Sequence, residues 1–156
     1  MGTQPTFLTT TETTVPIIRG QDEGRVVGVI GGRSWFRVLP EETGGAYAIL
    51  EQEVPAGGGP PLHVHRHETE IFHILAGEFE LRVGDARVTA PAGTSAVCPR
   101  DIPHTFRNIG MGPGRLLLTI LPGRFGYYFL DVDGLDDHEL DTVRRLTARY
   151  GVEILE

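Results

Sequence analysis

The chain has 156 residues, 40% of them hydrophobic, and a formal charge of −7. That length suits one domain around one core, and that apolar content excludes a disordered polymer. The acidic balance, with no basic cluster and no helix-turn-helix pattern, excludes a phosphate-binding groove, so no nucleic-acid partner is expected.

In chain order, residues 1–14 are rich in Thr and poor in large apolar side chains, which predicts an N-terminal arm. Residues 1–16 carry neither the basic nor the apolar segment of a secretory signal, and no apolar run is long enough to cross a bilayer. A single cysteine, Cys98, leaves no internal disulfide and fits a reducing compartment, where its expected role is a small buried strand residue. A cytoplasmic protein without membrane contact is therefore expected. Strands are predicted at Arg25–Ile30 and Ser34–Leu39, around Gly31-Gly32, with Trp35 as a packing residue. Residues 46–54 form the next strand, whose apolar parity runs Ala46, Ala48, Leu50 and Val54. A Gly/Pro-rich loop, residues 55–61, then breaks the pattern.

Strands follow at Leu62–His65, Glu70–Leu75, Glu78–Val83 and Ala86–Ala90, the last three separated by tight turns at Gly77 and Gly84-Asp85. Ala90-Pro91-Ala92-Gly93 suits a type I turn with Pro second and Gly fourth. Ser95–Cys98, His104–Asn108, Arg115–Leu121 and Gly126–Val132 complete the strands. From Asp136 to Tyr150 the apolar positions Leu140, Val143, Leu146 and Tyr150 step by three or four, which predicts a helix. Asp136 or Asp137 would cap it, His138 would lie exposed on it, and Gly151 would follow its C-terminus. Short strands with regular turn signals and one terminal helix give a mainly β fold: an antiparallel β-barrel or jelly roll over residues 15–135, with residues 136–156 packed on the same domain. Open sheet edges on a small barrel lead us to expect a homodimer.

Chemistry concentrates in His63-Val64-His65-Arg66-His67-Glu68-Thr69-Glu70, which holds three of the six histidines. On a strand, His63 and His65 project to one face and can grip one ion. Glu70 opens the next strand and can add an oxygen, and the distant His104 can complete the set. Imidazole with carboxylate suits a divalent transition metal: Fe, Mn, Ni, Co, Cu or Zn. Three nitrogens and one oxygen leave positions open for substrate, water or dioxygen, whereas the absence of cysteine pairs argues against a structural zinc knot. Phe72 and Ile74 share the parity of Glu70, and Phe106 that of His104, so these three are the expected pocket walls; His73 should face outward, His67 should lie in an exposed loop, and Asn108 should fix a strand end.

The spacing is specific. Gly57 precedes His63 by six positions, Glu70 follows His65 by five, and Gly77 follows Glu70 by seven. Pro91-Ala92-Gly93 comes later, and His104 stands four before Asn108. This pattern resembles the two motifs of the cupin superfamily. The first matches at every defined position; the second departs in the Gly84–Pro91 spacing and in a longer gap from Gly93 to His104. Within the superfamily the likeness is to small quercetinase-like cupins, through Glu42-Thr43-Gly44-Gly45-Ala46-Tyr47, the Gly-Gly-Gly-Pro-Pro-Leu-His approach and Ala148-Arg149-Tyr150-Gly151-Val152-Glu153. The resemblance implies a cupin barrel, metal ligation by His63, His65, Glu70 and His104, and a metal-dependent dioxygenase for a small aromatic or flavonol-like substrate. In quercetin 2,3-dioxygenases the glutamate matching Glu70 can take the flavonol hydroxyl proton, and the heterocycle opens with release of carbon monoxide. A metal-assisted isomerase or cyclase, and a non-enzymatic small-molecule binder, are the alternatives, because this fold hosts many chemistries.

Overall fold

Two antiparallel sheets face one another in the computed structural model, which describes residues 15–29, 32–136 and 139–156. The expected arm at 1–14, the expected strand end Ile30, Gly31, the candidate cap Asp137 and His138 lie outside the described residues. Among the described residues the strands are β1 (Val26–Val29), β2 (Gly32–Val38), β3 (Ala48–Val54), β4 (His63–His65), β5 (Thr69–Ala76), β6 (Glu78–Val83), β7 (Ala86–Pro91), β8 (Ser95–Cys98), β9 (His104–Asn108), β10 (Gly114–Leu121) and β11 (Val152–Ile154). One sheet runs β1-β2-β3-β10-β5-β8, the other β11-β4-β9-β6-β7. The fold is mainly β, with short helices α1 (Gly126–Asp131) and α2 (Leu140–Arg149) near the C-terminus.

The core follows from strand alternation. Every second residue of the larger sheet points inward, and the registers align these residues in three rows. Ala48, Ile120, Glu70 and Cys98 form one; Phe36, Leu50, Leu118, Phe72 and Ala96 the next; Ser34, Gln52, Leu116 and Ile74 the third. The smaller sheet presents His104, Phe106 and Asn108 from β9, opposite Val83, Leu81 and Phe79 of β6. Each fully buried Phe, Leu or Ile in these rows contributes about 1.5–3 kcal/mol relative to exposure. On the outer face, Trp35 packs under the guanidinium groups of Arg33 and Arg115, 5.2 and 5.6 Å from its ring centre. Gly84-Asp85 closes the β6–β7 hairpin as expected, with Gly84 alone at positive φ.

Four expectations change. Residues 126–132 are not a strand: they continue a 3₁₀ turn (Gly123–Phe125) into α1. Phe125, Phe129 and Val132 are buried at a spacing of four and three, while Tyr127 is exposed, so the helical period overrides the β propensity of the aromatics. Helix α2 begins at Leu140 rather than near Asp136, and Glu139 just before it stands off the helical backbone at φ −106° and ψ 23°. Gly151 does follow its end, at φ 75°. Gly77 does not close a hairpin but carries the chain from one sheet to the other, since β5 and β6 belong to different sheets. Pro91 stands first, not second, in its turn: the Thr94 N–H donates to its carbonyl, and Gly93 at φ 93° takes the third position, as in type II. Strand β11 was not anticipated. It pairs with β4 over Val152↔His65 and Ile154↔His63, so the C-terminal segment braces the strand that bears two of the histidines.

Candidate metal centre

The Gly/Pro-rich loop aligns β4 by pairing with the end of β9. The Gly57 N–H donates to the Asn108 carbonyl at 2.8 Å, the Asn108 N–H to the Gly58 carbonyl at 2.9 Å, and the Thr105 hydroxyl to the Pro60 carbonyl at 2.6 Å. Asn108 also fastens the strand end as expected, its amide donating to the Val54 and Gly112 carbonyls at 2.9 Å. His63 thus lies directly opposite His104 across the β4–β9 pairing. From the facing sheet, Glu70 reaches the same space. The four ligand atoms of His63, His65, Glu70 and His104 lie within 4.8 Å of one another, all four residues are buried, and the set can hold a metal ion.

Hydrogen bonding aims the rings. The Nδ1 of His63 lies 2.8 Å from the Pro61 carbonyl, and that of His104 3.0 Å from the Ile102 carbonyl. A carbonyl only accepts, so each Nδ1 carries its hydrogen and each Nε2 keeps its lone pair for the centre. His104 Nε2 then stands 2.9 Å, and His65 Nε2 3.4 Å, from the same Glu70 oxygen. Lone pairs facing a carboxylate repel unless positive charge lies between them, and His65 Nε2 is buried with no hydrogen-bond partner. The arrangement fits a cation bound among these atoms. Burial alone would raise the Glu70 carboxyl, but the positive charge that the surrounding imidazoles carry when protonated, His65 foremost, brings it down to about 2, which shows how strongly this carboxylate favours a cation beside it. Burial pushes His63 down to about 4, so it stays neutral and able to ligate. His65 is shifted upward despite its burial, because Glu70 and Glu68 favour its charged form.

His63 and Glu70 open onto a cavity of about 420 Å³ walled by Phe72, Phe106, Leu118, Phe125 and Phe129. Two of the three expected wall residues are there. Ile74 is not: it is 1% exposed and packed in the row of Leu116, away from the cavity lining. His73 faces outward, with its Nδ1 2.6 Å from the Ser95 hydroxyl, and His67 is exposed. Cys98 is fully buried beside Glu70, and burial pushes its thiol up to about 12, as suits an inert core residue.

The sequence reading missed Glu68 and Phe125. Glu68 is 1% exposed and places Oε2 3.3 Å from His65 Nδ1, which orients that ring; its position three residues after His65 was the available signal. Phe125 meets His65 edge-on at 4.5 Å between ring centres, and its spacing of four from Phe129 was the signal hidden by the strand reading. Glu68→Ala is expected to weaken metal affinity by about 10–100-fold, and Glu68→Gln by less, because Gln keeps an oxygen for the Nδ1 hydrogen. Titration against a competing chelator measures both; unchanged affinity in Glu68→Ala would show that His65 is held by other contacts.

Comparison with known proteins agrees with this fold. The model of the cupin domain matches residues 50–120. An oxidoreductase of Beauveria bassiana is 29% identical over 119 residues, 70% of this chain but 34% of that protein, so the chain spans about a third of its relative's length. Among solved structures, an RmlC-like cupin from Shewanella frigidimarina superposes with a TM-score of 0.60 at 16% identity, covering 72% of this chain and 96% of that one. A predicted oxalate decarboxylase from Thermotoga maritima gives a TM-score of 0.60 at 21% identity, covering 69% of this chain and 99% of that one. At these identities the two structures establish the fold alone.

Proposed function

We propose that this chain, whose residues 50–120 match the cupin domain, is a metal-dependent dioxygenase for a small aromatic, flavonol-like substrate. The observation that carries the reading is a buried three-histidine, one-glutamate cluster opening onto a cavity walled by phenylalanines. The relative named as an oxidoreductase supports the class of reaction.

A divalent transition metal held by His63, His65, Glu70 and His104 would supply Lewis acidity and electron exchange with dioxygen. The chain's own residues do the rest. Phe72 and Phe106, 5.3 Å apart in an edge-to-face pair, form an apolar wall against which a planar ring can lie. The same wall excludes water, which strengthens every electrostatic contact at the cluster. Glu70, in the cluster and at the cavity wall, offers the carboxylate oxygen that would take the proton of a substrate hydroxyl.

Oxygen uptake with a panel of flavonols, using metal-replete protein, tests the reading. Uptake with carbon monoxide release supports it; no uptake with any flavonol sets it aside, and a flavonol that binds tightly and leaves unchanged points to a non-catalytic binder. In an active protein, Glu70→Gln is expected to lower turnover by at least about 100-fold, the range for loss of a positioned general base. Full activity and full metal content in that variant would remove Glu70 from both roles.

A further inference from the structure

The third inward row of the larger sheet contains two polar residues among apolar ones. Ser34 is 1% exposed and Gln52 8%, and the Gln52 amide donates to the Ser34 hydroxyl oxygen at 3.3 Å. Both line the same cavity as His63 and Glu70. Their place along it follows from the register. Ala48 is level with Glu70 through Ile120, and Gln52 stands four residues farther along β3, about 13 Å at the ordinary rise of a strand. The phenylalanine walls lie between these two ends.

The pair does not exhaust its own hydrogen-bonding capacity. One amide hydrogen of Gln52 goes to Ser34 Oγ. The Ser34 hydroxyl hydrogen and the Gln52 carbonyl oxygen have no other partner among the described residues, and both residues line the cavity. A neutral donor and a neutral acceptor side by side match a group that both gives and takes a hydrogen bond. A phenolic hydroxyl does this; a carboxylate offers no donor, and the pair carries no charge to receive one.

The geometry points to a substrate-selecting subsite at Ser34 and Gln52 that binds a hydroxyl on the ring of an aromatic ligand farthest from the metal cluster. The inference deepens the aromatic-substrate reading above and rests on it. It also narrows the ligand: a single ring at the cluster cannot reach the pair, whereas a two- or three-ring aromatic can.

The test compares 3-hydroxyflavone with its 4′-hydroxy derivative. The two share the metal-binding hydroxyketone and differ only at the remote ring. Binding is followed by absorbance titration of metal-loaded protein without oxygen, so the readout is affinity rather than turnover. Wild-type protein is expected to prefer the 4′-hydroxy compound by about tenfold, the worth of one well-placed buried hydrogen bond. Gln52→Leu, of similar size, and separately Ser34→Ala should bring that ratio close to unity; the ratio between the two compounds, rather than the affinity for either one, is what the subsite controls. Using two variants guards against one that fails to fold. Equal binding of the two compounds by wild type, or a preference that survives both substitutions, overturns the subsite while the dioxygenase reading stands. A clear preference without oxygen uptake in air keeps the subsite and removes the dioxygenase. If neither compound binds, both fall.

Discussion

His63→Ala is expected to empty the cluster of metal. Protein purified without added metal or chelator should fall from about one ion per chain to less than about a tenth of that, since losing a direct ligand costs more than the 10–100-fold seen for outer-shell partners. The substitution is the cleanest of the three histidines. His63 lines the cavity, burial holds its imidazole down to about 4, and its hydrogen bond goes to a backbone carbonyl rather than to another side chain. Strand β4 keeps its pairing to β11 through backbone groups that alanine also has. Elemental analysis reads the loss, and an unchanged far-ultraviolet circular dichroism spectrum confirms that the fold survives. His73→Ala is the matched control, because that ring faces outward against Ser95 and should leave the metal in place. A folded His63→Ala protein with full metal content would overturn the shared centre.

The second large effect is on stability, at Gly59→Ala. Gly59 has φ +148°, and a Cβ there would sit 2.0 Å from the Phe106 carbonyl oxygen and 3.1 Å from Arg107 Cα. Those are backbone atoms of β9, which cannot swing aside as a side chain can. Conformational strain together with displacement of the loop is expected to cost about 3–4 kcal/mol. For a chain of this size that lowers the melting temperature by about 10 °C, measurable by calorimetry. Gly57→Ala is the informative contrast. Gly57 is also left-handed, at φ +75°, but a Cβ would meet nothing within 4 Å, so only about 1–2 kcal/mol of backbone strain is expected. Equal losses at the two positions would mean that the close approach to β9 does not matter.

The parts of the fold that were legible in the sequence are those where one physical signal acts alone. Strands β3 through β10 were readable because alternation and turn residues agree there, and the parity of Glu70, Phe72 and Ile74 placed all three on the buried face. The four cluster residues were readable because their spacing is unusual for any other purpose. Where two signals compete, the reading failed. Gly126-Tyr127-Tyr128-Phe129-Leu130-Asp131 is rich in residues that favour strands, yet its burial follows a helical period set by packing on the barrel. Strand β11 is too short for any periodicity, and its pairing with β4 depends on the chain returning from α2. Gln52 shows a third kind of failure. It interrupts the apolar parity of Ala48, Leu50 and Val54, and that interruption was itself the signal, since a polar side chain inside an apolar row needs a partner.

The pairing of β11 with β4 bears on when the cluster can come into being. Strand β4 is flanked by β9 on one side and by the end of the described chain on the other, so neither of its hydrogen-bonded edges is supplied by a sequence neighbour. Pairings of such sequence separation carry a loop-closure cost that a local hairpin does not. The candidate cage therefore requires the folded barrel, since His63, His65, Glu70 and His104 come together only through non-local pairings. Because imidazole–carboxylate sites discriminate poorly among divalent ions, the local supply of each ion would decide which one such a cage takes up.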